Sequence, residues 1–283
     1  VLVLITAVLV AITNIVKKHI LNHEHALEQM AAESPFRLLV LIVLIPFVEL
    51  PTLTEFGFIL VAAMLLFFTI LYRNKSYRHM PISTVSPLMN LSPIFLLLIA
   101  VTILGERLTA VQLGGIFLVM IGGYLLDLKN KNLLAPLKHA AGSKYTATVV
   151  VTLIFLSLMG SIDKYILQTV AIPSVTYLFW LYLIYCALAL TTHITQYGYT
   201  PLIADIKKGG KWLFISGSIS VTEIMILYHA LSLPGVLITL VVPLRRTATL
   251  IETAVGGTVF GEKNLKQKIF ASLVMVAGVV LIV

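Results

Sequence analysis

Ten apolar stretches divide the chain, at about 1–21, 35–50, 56–72, 81–104, 110–128, 146–168, 174–197, 212–231, 235–260 and 265–283. They lack the wide polar face of a helix that lies on a water-soluble core, and most approach the roughly 20 residues needed to cross a hydrocarbon layer. The pattern predicts an all-α integral membrane bundle of ten transmembrane helices. Val1–Val16 is apolar enough for a signal-peptide core, but Lys17, Lys18 and a polar loop follow it, with no small-residue cleavage site. It reads as the first membrane helix. The longest polar connection is Lys129–Lys144, and it divides the chain into two five-helix halves, 1–128 and 146–283, joined by a cytoplasmic linker at 129–145.

Composition agrees with that pattern. Hydrophobic types make up 59% of the 283 residues and charged types 11%. Soluble domains carry about 45–50% apolar and roughly 25% charged residues, so a soluble enzyme and a disordered chain are both excluded. The net charge is +8. Most of its lysines and arginines sit between the apolar runs or near their ends, not in one patch, which argues against nucleic acid as a partner. A single cysteine, Cys186, permits no internal disulfide.

The two halves match each other. A shift of 156 residues carries Gly105-Glu106 to Gly261-Glu262, Tyr72 to Tyr228, Pro87-Leu88 to Pro243-Leu244 and Gly122 to Gly278. A shift of 146 carries Lys18-His19-Ile20-Leu21 to Lys164-Tyr165-Ile166-Leu167. Five helices per half would make a tandem copy enter the membrane upside down, and the charges agree. Sixteen lysines and arginines fall on one set of alternating loops and flanks, and two, Arg107 and Lys164, on the other. The positive-inside rule puts the rich set in the cytoplasm and both ends outside. Inverted-topology repeats of this kind recur in secondary transporters, with the substrate site near the midplane.

The residues around the paired motifs carry a resemblance. Ser86-Pro87-Leu88-Met89-Asn90-Leu91-Ser92-Pro93, Gly105-Glu106-Arg107-Leu108, Gly114-Gly115 and Gly122-Gly123 resemble an EamA-type repeat of the drug/metabolite transporter superfamily. Val242-Pro243-Leu244-Arg245-Arg246-Thr247, Gly261-Glu262-Lys263 and Ala277-Gly278 look like a second copy. The resemblance implies a carrier of small metabolites, often outward, with a cavity lined by the first, third, fourth, sixth, eighth and ninth helices. Two features depart from the family. Ile12-Thr13-Asn14 stands where a Trp-Gly pair is usual, and many relatives keep both ends cytoplasmic.

Several residue groups are candidates for chemistry. Arg245 and Arg246 lie deep in the ninth segment, where an arginine costs at least about 2.5–3.5 kcal/mol unless a partner, cavity or ligand meets it. They are candidates for an anionic cargo group, which a guanidinium recognises through its planar fork, or for a structural pair with an acid. Arg245, Thr249 and Glu252 share one helical face, and Glu223 is another acid in an apolar run. Glu223 or Glu252 is the expected proton-coupling group. Asn14, Asn90 and Tyr228 are expected to set polar fit. Pro87 and Pro243 each deprive a carbonyl, that of Ser83 or Thr239, of its helical donor, and are expected to kink a gate or a static bend.

The remaining groups read as structural. Gly105 with Glu106 reads as a helix stop, followed by a Thr109–Gln112 capping box whose helix end favours the acid. Asp163-Lys164 reads as an interfacial pair, and Tyr177, Trp180, Tyr182 and Tyr185 as an interfacial belt or lipid-facing packing. Gly114-Gly115 and Gly256-Gly257 read as close helix packing. His23-Glu24-His25 offers too few ligands for a zinc site. With no P-loop, Gly-x-Ser-x-Gly or His-Glu-x-x-His pattern, neither a catalytic residue nor a metal or other cofactor is expected.

The expected function is secondary transport, in the exporting direction, of a small polar or anionic metabolite by alternating access. The plasma (inner) membrane is the expected location. The expected partners are the small-molecule substrate and the bilayer, and a homodimer is compatible with the sequence. A lipid-linked sugar flippase, a non-transporting scaffold and a membrane enzyme are the alternatives.

Overall fold

The computed structural model describes residues 1–21, 26–80, 82–128, 132–248, 250–251 and 265–282, and within these it leaves out the side chains of 14–21, 26–29, 77–78, 82–83, 86, 208 and 265–266. Among the described residues the chain is helical, without a strand. The helices are α1 (Leu2–Leu21), α2 (Ala26–Leu41), α3 (Leu53–His79), α4 (Ile82–Met89), α5 (Ser92–Ile103), α6 (Ala110–Asp127) and α7 (Ala135–Ala141). They continue as α8 (Thr146–Tyr165), α9 (Ser174–Tyr197), α10 (Tyr199–Ser232), α11 (Ile238–Arg246) and α12 (Leu265–Ile282). Among the described residues, six helical stretches are long and apolar enough to cross a membrane, and three shorter apolar ones accompany them, Leu2–Thr13, Pro87–Ile103 and Gln267–Ile282. The protein is a multi-pass integral membrane protein.

Four departures from the expected pattern have local causes. The second helix begins at Ala26, not near residue 35, and Ile42–Phe47 continues it as a 3₁₀ turn around Pro46. The expected single helix over 81–104 is two helices, because the chain turns at Asn90 and Leu91, three residues after Pro87. A second proline, Pro93, then starts α5, where a missing N–H costs nothing. Gly210, at φ 21° and ψ −104°, breaks α10, so the membrane-length stretch is Gly209–Ser232. The linker contains the short helix α7.

Two expected local devices are present. Gly105 sits at φ 64°, and the Glu106 N–H donates back to the Ala100 carbonyl at 3.2 Å, so α5 ends in a left-handed turn. Thr109 and Gln112 form a reciprocal capping box at the start of α6.

The loops gather at two opposite ends. At one, Gln168 donates to the carbonyls of Leu231, Leu233 and Val236, Trp180 donates to the Glu49 carbonyl, and the Glu49 N–H donates to Thr176. Lys164 and Glu106 also meet there. At the other, the Ser76 and Thr148 hydroxyls meet at 2.9 Å, His79 stacks on Tyr145, and Gln267 donates to the carbonyls of Leu125 and Leu128. The first end holds the loops poor in lysine and arginine, and the second holds rich ones.

α6 and α12 pack backbone to backbone. A Cβ added at Gly278 would lie 2.7 Å from the Gly115 carbonyl oxygen, and one at Gly122 would lie 2.4 Å from Met275 Cγ. Small residues permit such contact where lipid offers no hydrophobic driving force. Gly278→Val is expected to separate these helices and lower the midpoint of thermal denaturation in detergent by several degrees. A midpoint unchanged within error would contradict this packing. Gly114 has open space around its Cβ position and takes no part, while Gly256-Gly257 lies outside the described residues.

Candidate functional site

The buried charges fall into neighbouring groups along α9 and α10. Arg245, near the end of α11, places Nη2 2.6 Å from Glu223 Oε1 on α10. The glutamate side chain is 6% exposed and the arginine 27%. The Arg245 Nε–H has no acceptor. This geometry joins two residues that the sequence offers either as cargo ligand and proton carrier or as members of a structural Arg–Glu pair. Arg246 turns elsewhere, and its Nη2 donates to the Ser92 hydroxyl at 2.8 Å. That contact ties α11 to the first turn of α5.

Asp163, on α8, accepts a hydrogen bond from the Tyr177 hydroxyl at 2.5 Å. Tyr228 stacks on Tyr177 with ring centroids 5.1 Å apart. Its hydroxyl is buried beside Asp163 without a well-formed hydrogen bond. Asp163 lies within electrostatic reach of Arg245, so the two groups adjoin.

A third group was not anticipated. On α2, Arg37 donates from Nη2 to Glu33 Oε1 at 3.0 Å, one helical turn away. The Ser216 hydroxyl on α10 donates to the same oxygen at 3.0 Å. Tyr182 of α9 accepts from Arg37 Nη1 at 3.5 Å and is also within electrostatic reach of Glu223.

These contacts correct several expectations. Arg37 is not a loop charge, because the helix that carries it begins nine residues earlier than the apolar run suggests. Removing it from the cytoplasmic tally leaves the bias intact. Tyr177, Tyr182 and Tyr185 are buried, at 0%, 4% and 2% exposure, so they face the bundle interior and not lipid. Trp180 alone of that group reaches an end loop. Asp163 and Lys164 do not pair with each other. Asp163 takes Tyr177, and Lys164 takes Glu106 at 2.7 Å.

Glu106 does not serve the helix that follows it. Its carboxylate accepts the N–H groups of Ile238 at 2.9 Å and Thr239 at 3.2 Å, together with the Thr239 hydroxyl. α11 has no cap of its own, since Leu237 stands at its N-cap position. The left-handed Gly105 turn aims Glu106 at this helix end, where a carboxylate meets orphan N–H groups and the positive end of the dipole.

The other expected site residues stand as follows. The Asn90 amide donates to the Gly123 carbonyl at 3.0 Å and to Asp127 at 2.8 Å, which fixes the α4–α5 turn against α6. Pro87 and Pro243 are buried inside α4 and α11. The Asn14 and Lys18 side chains, Thr249, Glu252, Glu262 and His23-Glu24-His25 lie outside the described residues.

Sequence reasoning missed Glu33 with Arg37 and the reach of Glu106 to α11. The first left a trace in opposite charges at i and i+4, which can neutralise each other on one helix face. The second left none, because it joins residues 132 apart.

No curated protein matched the sequence. Twenty-eight chains of solved structures are similar to it. One of them, a crystal structure described only as that of a protein, is 15% identical, with a TM-score of 0.74 over 99% of this chain and 94% of that one. That likeness extends to the fold alone. The sequence profile of the EamA-like transporter family matches residues 1–127. That match takes in the first half of the chain, which is therefore similar to EamA-like transporters.

Proposed function

We propose that the protein is a secondary transporter, working outward across the plasma (inner) membrane, for a small anionic metabolite. One observation carries this reading. Arg245 is partly buried against Glu223, and its buried Nε–H has no acceptor. A carboxylate or phosphate oxygen would fill that donor, and a guanidinium fork suits it geometrically. Binding the anion would loosen Glu223 from the arginine, and Glu223 would then take up a proton. Cargo and proton thereby share one switch. Tyr228, with its hydroxyl buried beside Asp163, would set polar fit together with Asn14. Asn90 contributes less, because its amide hydrogens are taken up by α6.

The architecture proposed is ten membrane spans in two inverted repeats, 1–128 and 146–283. The gathering of lysine- and arginine-poor loops at one end supports it. The short helices α4 and α11 would be half-spans broken after Pro87 and Pro243, and their hinging would gate access. Arg246 would hold α11 to α5 through Ser92 while the site is closed.

The test is thermal denaturation in detergent against a panel of carboxylates, phosphates and neutral isosteres. A ligand at 100 times its dissociation constant stabilises the folded state by about 2.7 kcal/mol. At least one anionic class is expected to raise the midpoint of wild type and not of Arg245→Gln. If neutral isosteres work equally well, or no anion shifts wild type, the anionic cargo is wrong.

A further inference from the structure

The Glu33–Arg37 pair is absorbed neither by the mechanism above nor by ordinary packing. Arg37 is 11% exposed, and its Nε–H, like that of Arg245, finds no acceptor. Leaving a buried donor unfilled is costly, because the group gives up its hydrogen bond to water and gains none in return. Two arginines in one bundle carry that cost in the same way. Each spends a terminal nitrogen on a single glutamate, and each leaves its Nε–H open. Tyr182 is within reach of both pairs. Its hydroxyl accepts from Arg37, the Arg37 Cζ lies 5.6 Å from its ring centroid, and the hydroxyl is within electrostatic reach of Glu33 and Glu223 alike. Around Arg37 the walls are small and close. Gly217 lies against it, and Ser216 holds Glu33 in place.

We propose that Arg37 is a second anion anchor, and that the cargo is a small metabolite with two acidic groups, a dicarboxylate or phosphonocarboxylate-like molecule. It would place one acid on Arg245 and the other on Arg37, with the Tyr182 ring alongside its middle. This rests on the reading of Arg245 as the anion ligand. A cargo with two acids accounts for two half-satisfied arginines, where a monoacid accounts for only one. Arg37 here is a specificity residue, favouring diacids over monoacids.

The experiment compares straight-chain monocarboxylates with dicarboxylates of two to six carbons, and with phosphonoacetate, as stabilisers in detergent. It uses wild type, Arg37→Gln, Glu33→Gln/Arg37→Gln and Arg245→Gln. The double variant removes the whole ion pair and so leaves no orphan charge to unfold the chain. In wild type, one diacid is expected to act at a concentration at least about tenfold below its matched monoacid. That advantage is expected to vanish in both Arg37 variants while the monoacid midpoint stays within about twofold. Arg245→Gln should lose both responses. A diacid advantage that survives the Arg37 variants, or no advantage in wild type, overturns the second anchor and leaves the Arg245 reading standing. If neither acid type stabilises wild type, the Arg245 reading fails and this proposal fails with it.

Discussion

Glu106→Ala is expected to destabilise the protein by about 3 kcal/mol, the lower bound for breaking a buried ion pair by removing one partner. The carboxylate is 1% exposed and meets Lys164, 12% exposed, at 2.7 Å. Without it, a mostly buried ammonium loses its counter-charge. The Ile238 and Thr239 N–H groups lose their acceptor at the same time, and α11 has no cap to replace it. The damage would reach the site, because the helix released is the one that carries Arg245. Glu106→Gln keeps an acceptor but loses the charge, and should fall between alanine and wild type. Glu106→Gln with Lys164→Met removes both charges together and should recover part of the loss. The check is thermal denaturation of the purified variants in one detergent. A Glu106→Ala midpoint equal to that of wild type would show that the clasp does not hold α11.

The second large effect concerns the Arg245–Glu223 pair, whose two members are expected to behave differently. Arg245→Gln should weaken anion binding by about tenfold or more, since hydrogen bonds to charged groups are worth about 1.5–3 kcal/mol and each 1.4 kcal/mol is a factor of ten. Glu223→Gln should retain or tighten anion binding, because the competing carboxylate on Arg245 has lost its charge. Its transport in liposomes should no longer respond to an imposed pH gradient. A pair that merely fastens α10 to α11 predicts the opposite pattern. Both substitutions would then lower stability alike, and neither would change anion selectivity. Binding isotherms and gradient-driven uptake for the two variants separate these accounts.

Much of the helical order was legible because membrane helices announce themselves by length and apolarity. α6, α9 and α12 begin and end within one or two residues of their apolar runs. Gly105 and the Thr109–Gln112 box were legible because both are local chemistry. The start of α2 was not. Glu28, Gln29, Glu33 and Ser34 interrupt the apolar residues of Ala26–Ser34, yet Glu33 is buried against Arg37 and Ser216, and a buried charge satisfied by tertiary contact looks from sequence like a loop charge. The tyrosines of α9 misled for a related reason. An aromatic with a polar tip suits an interface and a polar interior equally, and only the positions of Asp163 and Arg37 decide between them. Glu106 was read as belonging to its neighbour in sequence, where the fold gives it to α11. At the site, the sequence indicated that Arg245 and Glu223 needed partners. It did not show that each was the other's.

The central claim is that this bundle moves an anion by way of Arg245. Counterflow in proteoliposomes tests it most directly. Vesicles are loaded with the acid that best stabilises the detergent-purified protein, diluted, and offered the same acid in radiolabelled form. Wild type is expected to accumulate label transiently and saturably above protein-free vesicles, and Arg245→Gln, folded and inserted to the same level, is expected to show none. Label in wild-type vesicles no higher than in protein-free ones, although the acid stabilises the protein, would contradict the account. The bound anion would then be a ligand of a membrane protein that does not carry it.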